Sequence, residues 1–236
     1  MRALASTGKH VLKHRLGPAV AARRPTRIDI PLDHWGLRIG GNDTLWLHDV
    51  DLSAVARQHG TPLHVVDGRR LEHACNDALA PFRAGHGADI FYSYKTNPVP
   101  AVLRRLHAGG IGAEVISAFE LWLALQLGVP GDRIIYNGPA KSDESIRTAI
   151  EVGVRLVNAN SLSELRRIIA IAGELRTPVN LGLRVSLPGM WGGQFGIVGH
   201  SAELDEAVAL ATSAPFAVLR GLHAHRGATM RSEEAW

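Results

Sequence analysis

The feature that most constrains this chain is an alternation that begins at Thr61 and runs to the end. Short β-branched or aromatic runs are each followed by an amphipathic stretch and then a Gly or Pro stop. PLHVVD, DIFYSYK, IGAEVI, RIIYN, RLVNA, NLGLRVS and FAVLRGLHAH read as strands. RRLEHACNDALAPF, PVPAVLRRLHAGG, SAFELWLALQLG, SDESIRTAIEVG, SLSELRRIIAIAG and SAELDEAVALATS read as helices. The second helix has proline in its first turn and glycine at its end. SLSELRRIIAIAG opens on a capping box, Ser161 to Glu164.

Regular βα repetition predicts a parallel sheet with crossover helices. Two architectures satisfy it, an open doubly wound sheet and a (β/α)8 barrel. The glycines of GGIGAE end a helix and precede a strand, the reverse of a dinucleotide fingerprint. Seven strands in even succession favour the barrel. A closed barrel takes roughly 250 residues, and about 175 follow Thr61, so the barrel is expected to be incomplete. Upstream, LRIGGNDTLWLHDVDLSAVARQHG reads as a short hairpin and a helix. The expected organisation is a basic, disordered extension over 1–28, an element of a second, β-rich domain over 29–60, and the barrel over 61–236.

Charge and apolar content narrow the partners. No acidic residue precedes Asp29, whereas Arg2, Lys9, Lys13, Arg15, Arg23, Arg24 and Arg27 all fall before it. Such a stretch fits a transit peptide or a nucleic-acid arm as well as a disordered extension; the remainder is close to neutral, so no nucleic-acid partner is expected. No apolar run approaches the ~18 residues of a membrane span. FELWLALQLGV has the spacing of a buried helix. Cys75, the single cysteine, has no internal partner and no metal-ligand spacing, and is read as a core or helix-face residue in a reducing compartment. The twelve histidines form no zinc pattern.

In a (β/α)8 barrel the chemistry lies at the C-terminal ends of the strands. The polar residues there are Lys95, Glu114, Asn137, Asn158, Arg184, His223 and His225. Each singly has a structural explanation; together they converge on one mouth. Lys95 admits two readings from spacing alone. It could snorkel to solvent, or it could be a Schiff-base lysine, made nucleophilic by partial burial and neighbouring cations.

TPLHVVD, YSYKTN, IGAEVISAFELWLAL, GPAKSDESIRTAIEVG, VNANSLSEL, LGLRVS with QFGI, and GLHAHRG, taken in order, resemble the fold-type III pyridoxal 5′-phosphate (PLP) dependent decarboxylases. That family includes diaminopimelate, ornithine and arginine decarboxylases. The resemblance covers roughly residues 37–229. It implies PLP as cofactor, held as a Schiff base on Lys95, with His225 against the ring face. It also implies cofactor contacts from Glu114, Arg184 and Gly227. Glu120 matches the glutamate that opens the helix after the third strand.

Three positions depart from the family pattern: Glu114 stands for an aspartate, Ala228 followed by Thr229 for a serine, and Gln194 for a lysine. The family's later glycine-rich phosphate loop, the acidic partner of the ring nitrogen, and a cysteine–tyrosine pair have no counterpart within these residues; Cys75 does not match that cysteine. The resemblance implies a cytoplasmic homodimer acting on a small amino acid, with little activity expected from these 236 residues alone. Three rival readings are a PLP-dependent amino-acid racemase, a cofactor-free aldolase using Lys95, and an inert fragment that acts as a binding module.

Overall fold

A computed structural model describes residues 31–83, 87–186 and 194–225. The expectation for residues 1–28 and the family's Gly227, Ala228 and Thr229 therefore lie outside the described residues. The chain forms two compact units that divide between Val65 and Val66.

The first unit carries an antiparallel sheet of β1 (Leu37–Ile39), β2 (Leu45–Leu47) and β3 (Val50–Asp51). The hairpin is tied by the Trp46 indole, which donates to Thr44 Oγ1 at 2.9 Å. The Arg38 guanidinium lies over that indole, 4.7 Å from the ring centre. Helix α1 (Leu52–His59) starts where Asp51 accepts the amide hydrogens of Ser53 and Ala54, an N-cap worth about 1 kcal/mol.

The second unit alternates helix and strand: α2 (Gly68–Arg83), β4 (Phe91–Ser93), α3 (Pro100–Ala108), β5 (Gly112–Val115), α4 (Ala118–Gln126) and β6 (Ile134–Tyr136). It continues through α5 (Asp143–Glu151), β7 (Leu156–Ala159), α6 (Leu162–Leu175), β8 (Val179–Ser186), β9 (Ile197–Val198), α7 (Ala202–Ser213) and β10 (Ala217–Ala224). The strands lie side by side in the order β4-β5-β6-β7-β8-β10, each parallel to its neighbour. A doubly wound sheet reverses its strand order at a switch point. This one never reverses, which is barrel winding, and among the described residues the barrel is incomplete.

Four serines explain where the helices begin. Ser117, Ser142, Ser161 and Ser201 each accept the amide hydrogen three residues on. Between strands and helices the apolar side chains close into one core. Leu103, Ala113, Ile134, Ile146, Val157, Leu165, Leu181 and Ala211 have no solvent exposure.

Three expectations are corrected. Residues 62–67 are not a strand: Leu63, Val65 and Val66 are exposed. Their β-branched composition favours extended backbone, but no strand among the described residues pairs with them. Second, α4 is half buried rather than buried. Leu121, Leu123 and Ala124 face the core, while Phe119 and Trp122 stand in solvent, stacked 5.7 Å apart. Third, the loop after β8 contains β9, two residues that extend the sheet edge beside Val185 and Ser186.

Candidate active site

Strand β4 shows how the sheet sorts its side chains. Period-two alternation sends neighbours to opposite faces. Tyr94 is wholly buried, and its hydroxyl lies 2.7 Å from His107 Nε2. His107 Nδ1 is 2.9 Å from the Ile111 carbonyl. A carbonyl only accepts, so Nδ1 carries the proton and Nε2 accepts from the phenol. Burial holds the His107 pKa below its ordinary value, consistent with a neutral ring. Ser93 and Lys95, on either side of Tyr94, face the opposite way.

That opposite face is a cavity of about 500 Å³ at the C-terminal ends of the strands, within the ~300–1,000 Å³ typical of small-molecule sites. Ser93 and Lys95 come from β4 and its following turn, Glu114 from β5, and Asn137 from the end of β6. Arg184 comes from β8, His223 from β10, and His225 follows directly after that strand. Ile116, Gly138, Pro139 and Phe195 complete the wall. Six of the seven strand-end residues singled out in the sequence thus line one cavity. The seventh, Asn158, stands behind it.

Glu114 is fixed by a relay of amides. Its Oε1 accepts from Asn137 Nδ2 at 2.6 Å, and Asn137 Oδ1 accepts from Asn158 Nδ2 at 2.5 Å. A carboxylate cannot donate, so each amide's orientation follows from the one before it. Asn158 packs against Gly182, where a Cβ would lie 1.8 Å from Asn158 Oδ1.

The cations are spread around the opening. The Arg184 guanidinium lies 4.9 Å from the centre of the Phe195 ring, an arrangement attractive for a cation over a π face. Burial works against its charge, and Glu114 supports it. Lys95 is exposed, which corrects the expectation of partial burial: β4 is an edge strand, with no neighbour among the described residues to cover its last turn. Burial and then Arg184 push the His223 pKa down to about 4. Burial, then Lys95 and Arg184, lower that of His225. Both shifts favour the neutral ring.

Glu120 does not line the cavity. It sits in the first turn of α4, where Oε2 accepts the Ile116 amide hydrogen at 2.8 Å, and burial raises its pKa. Two further residues, Lys141 and Glu164, went unrecognised as a unit in the sequence. The capping box marked Glu164, but nothing in GPAKS marked Lys141 as a wholly buried cation. Among the described residues no cluster of His, Cys, Asp and Glu could hold a metal ion.

Comparison with known proteins identifies the lineage. Residues 69–234 match the pyridoxal-dependent decarboxylases in their pyridoxal binding domain, and the chain belongs to that family. Diaminopimelate decarboxylase from Methanocaldococcus jannaschii is 29% identical over 213 residues, 80% of this chain and 49% of the relative. The Zymomonas mobilis enzyme of the same name is 34% identical over 147 residues, 61% of this chain and 35% of the relative. The M. jannaschii enzyme in co-complex with L-lysine superposes with a TM-score of 0.73 at 27% identity, covering 82% of this chain and 48% of that one. Lysine/ornithine decarboxylase from Vibrio vulnificus, complexed with putrescine, gives 0.60 at 26% identity, covering 76% and 46%. The chain spans about half the length of the M. jannaschii enzyme.

The family's cofactor is PLP, and the cavity fits such a group. It presents a primary amine, an arginine and two neutral imidazoles around a space of cofactor size. Two buried polar atoms of its lining, Ser93 Oγ and His223 Nδ1, have no hydrogen-bond partner among the described residues. Buried polar groups are rarely left so, and a polar ligand in the cavity would satisfy them.

Proposed function

We propose that this chain forms the cofactor-binding half of a PLP-dependent amino-acid decarboxylase of the diaminopimelate decarboxylase type. The observation that carries the reading is the convergence of Lys95, Glu114, Arg184, His223 and His225 on one cavity at the strand ends. Lys95 would hold the cofactor covalently through its amine. His225 would lie against the ring as a neutral imidazole, because a cation there would compete with the ring's own positive charge. Arg184 and Ser93 would bind anionic and hydroxyl groups. Glu114, held through Oε1 by Asn137, would present its other carboxylate oxygen to the bound group. Gly227, outside the described residues, is assigned to the phosphate by the family resemblance.

When bound, PLP supplies the electron sink that accepts the pair left on Cα as carbon dioxide departs. The side chains orient the bond to be broken and exclude water from the ring face. Diaminopimelate is the substrate favoured, since relatives of that name dominate the similarity. We also assign residues 29–60 to a β-domain and 61–236 to the barrel. The same resemblance supports a homodimer in the cytoplasm. Among the described residues no helix is long and apolar enough to cross a membrane.

The test has two parts. The purified chain is incubated with PLP, reduced with borohydride and digested. Mass spectrometry should place the phosphopyridoxyl group on Lys95, and Lys95→Ala should abolish it. Modification elsewhere, with Lys95 untouched, would overturn the assignment. The complete protein is then given diaminopimelate. Carbon dioxide and lysine are expected; inverted amino acid without carbon dioxide would mean racemisation instead.

A further inference from the structure

Behind the cavity wall lies an ion pair with almost no contact with solvent. The side chains of Lys141 and Glu164 are 0% and 4% exposed, and Nζ lies 3.1 Å from Oε2. Lys141 Nζ also donates to the carbonyls of Gly138 at 2.8 Å and Asn158 at 2.7 Å. That uses all three ammonium hydrogens. Glu164 is equally occupied. Its Oε2 accepts the Asn160 amide hydrogen at 2.8 Å, and Oε1 accepts that of Lys141 at 3.2 Å. Arg167 closes the outer side by donating to the Lys141 carbonyl at 2.8 Å.

Stability alone does not account for such a pair. Desolvating two charges costs about as much as their attraction returns, and apolar residues of the same volume often serve as well or better. What the pair does hold is geometry, and its bonds end at or beside the cavity lining. Gly138 is a lining residue. Asn158 grips Asn137, which grips Glu114. Asn160 Oδ1 accepts the Gly196 amide hydrogen at 3.2 Å, next to Phe195 beneath Arg184. Three segments from two successive βα units, the loop after β6, the end of β7 and the start of α6, are thereby locked together.

We infer that the buried Lys141–Glu164 pair is the positioning unit of the cofactor cavity, setting where Glu114, Asn137 and Arg184 stand. Neither residue touches the cavity itself. Both act through others, so they are positioning residues rather than catalytic ones. The inference rests on the PLP-binding reading above.

The experiment compares the wild type with the double variant Lys141→Met/Glu164→Gln, which removes both charges and leaves no unpaired ion. PLP affinity is titrated by absorbance, and the visible circular dichroism of bound PLP reports the asymmetry of its surroundings. The melting midpoint is recorded separately. The expected result is a folded variant whose PLP affinity falls about tenfold or more, by analogy with the loss of residues that orient the ligands of a bound metal, with a changed dichroic band. A lower midpoint with affinity within twofold of wild type and an unchanged band would reduce the pair to a structural role and overturn the inference. Should the double variant not fold, Glu164→Gln decides by the same two readouts: its amide oxygen can still accept from Asn160. A wild type that takes up no PLP would overturn the proposed function and this inference with it. Wild-type binding with an indifferent variant overturns the inference alone.

Discussion

Replacing Gly138 by alanine probes the cavity wall at its tightest point. Gly138 has φ +95°, and a Cβ there would lie 2.1 Å from the Ile116 carbonyl oxygen and 2.9 Å from its carbon. Carbon–oxygen contacts settle near ~3.3 Å, so one of two backbone segments must move by about 1 Å. Both belong to the cavity lining. The left-handed conformation costs an L-residue about 1–2 kcal/mol, and forcing an extra carbon into a packed site about 1–3 kcal/mol. Stiffening the unfolded chain returns about 0.4–1 kcal/mol. The net loss is about 1–4.5 kcal/mol, centred near ~3 kcal/mol. Gly153 supplies the control: it has φ +67°, and no atom lies within 4 Å of its would-be Cβ. Gly153→Ala carries the conformational cost without the collision and should lose about 1 kcal/mol. Urea denaturation of the purified variants, read at constant m-value, separates the two. Equal losses would show that the wall yields freely and that the close approach to Ile116 has no energetic weight.

Three other outcomes are expected. Tyr94→Phe leaves His107 Nε2 without its buried donor and should cost about 1–2 kcal/mol, measured by the same denaturation; a change below a few tenths would deny the bond any net value. The His223 pKa is about 4 in the folded chain against an ordinary 6.5. The unfolded chain thus binds the proton more readily, and His223's contribution to stability is complete above pH 6.5 and lost as pH falls toward 4. The slope stays below the ~1.4 kcal/mol per pH unit of one full proton because the ring is partly solvated. His223→Gln should flatten that region of a stability–pH curve, and an unchanged curve would contradict it. Lys95→Ala removes an exposed side chain, so its melting curve should match wild type to within about 0.5 kcal/mol although the borohydride adduct is lost; a large destabilisation would make Lys95 structural.

Much of the barrel was legible because βα repetition is written in local period and punctuation. Ser161 and Glu164 announced α6, and Pro100 announced α3. The strand-end rule then gathered residues as far apart as Lys95 and His225 into one cavity. The failures have a common cause. PLHVVD has strand composition, but pairing is a property of neighbours, and no described strand lies beside it. Phe119 and Trp122 have core chemistry, yet nothing among the described residues covers their side of α4. Lys141 is hidden in the sequence for the converse reason. A lysine before a helix cap ordinarily reaches water; here three oxygens from a loop, a strand and a helix enclose it. Local pattern fixes periodicity, whereas burial of a polar group depends on partners that sequence distance conceals.

The back-to-back setting of Tyr94 and Lys95 makes β4 behave like a reading frame. The ladder reaches as far as Tyr94, whose amide hydrogen bonds to the Glu114 carbonyl. A single residue gained or lost before it would exchange the two faces, driving an ammonium into the apolar core and lifting a phenol into the cavity. Substitutions along this strand can be absorbed one at a time. A change of length by one cannot, so homologous chains should vary in the spelling of FYSYK but not in its number of letters.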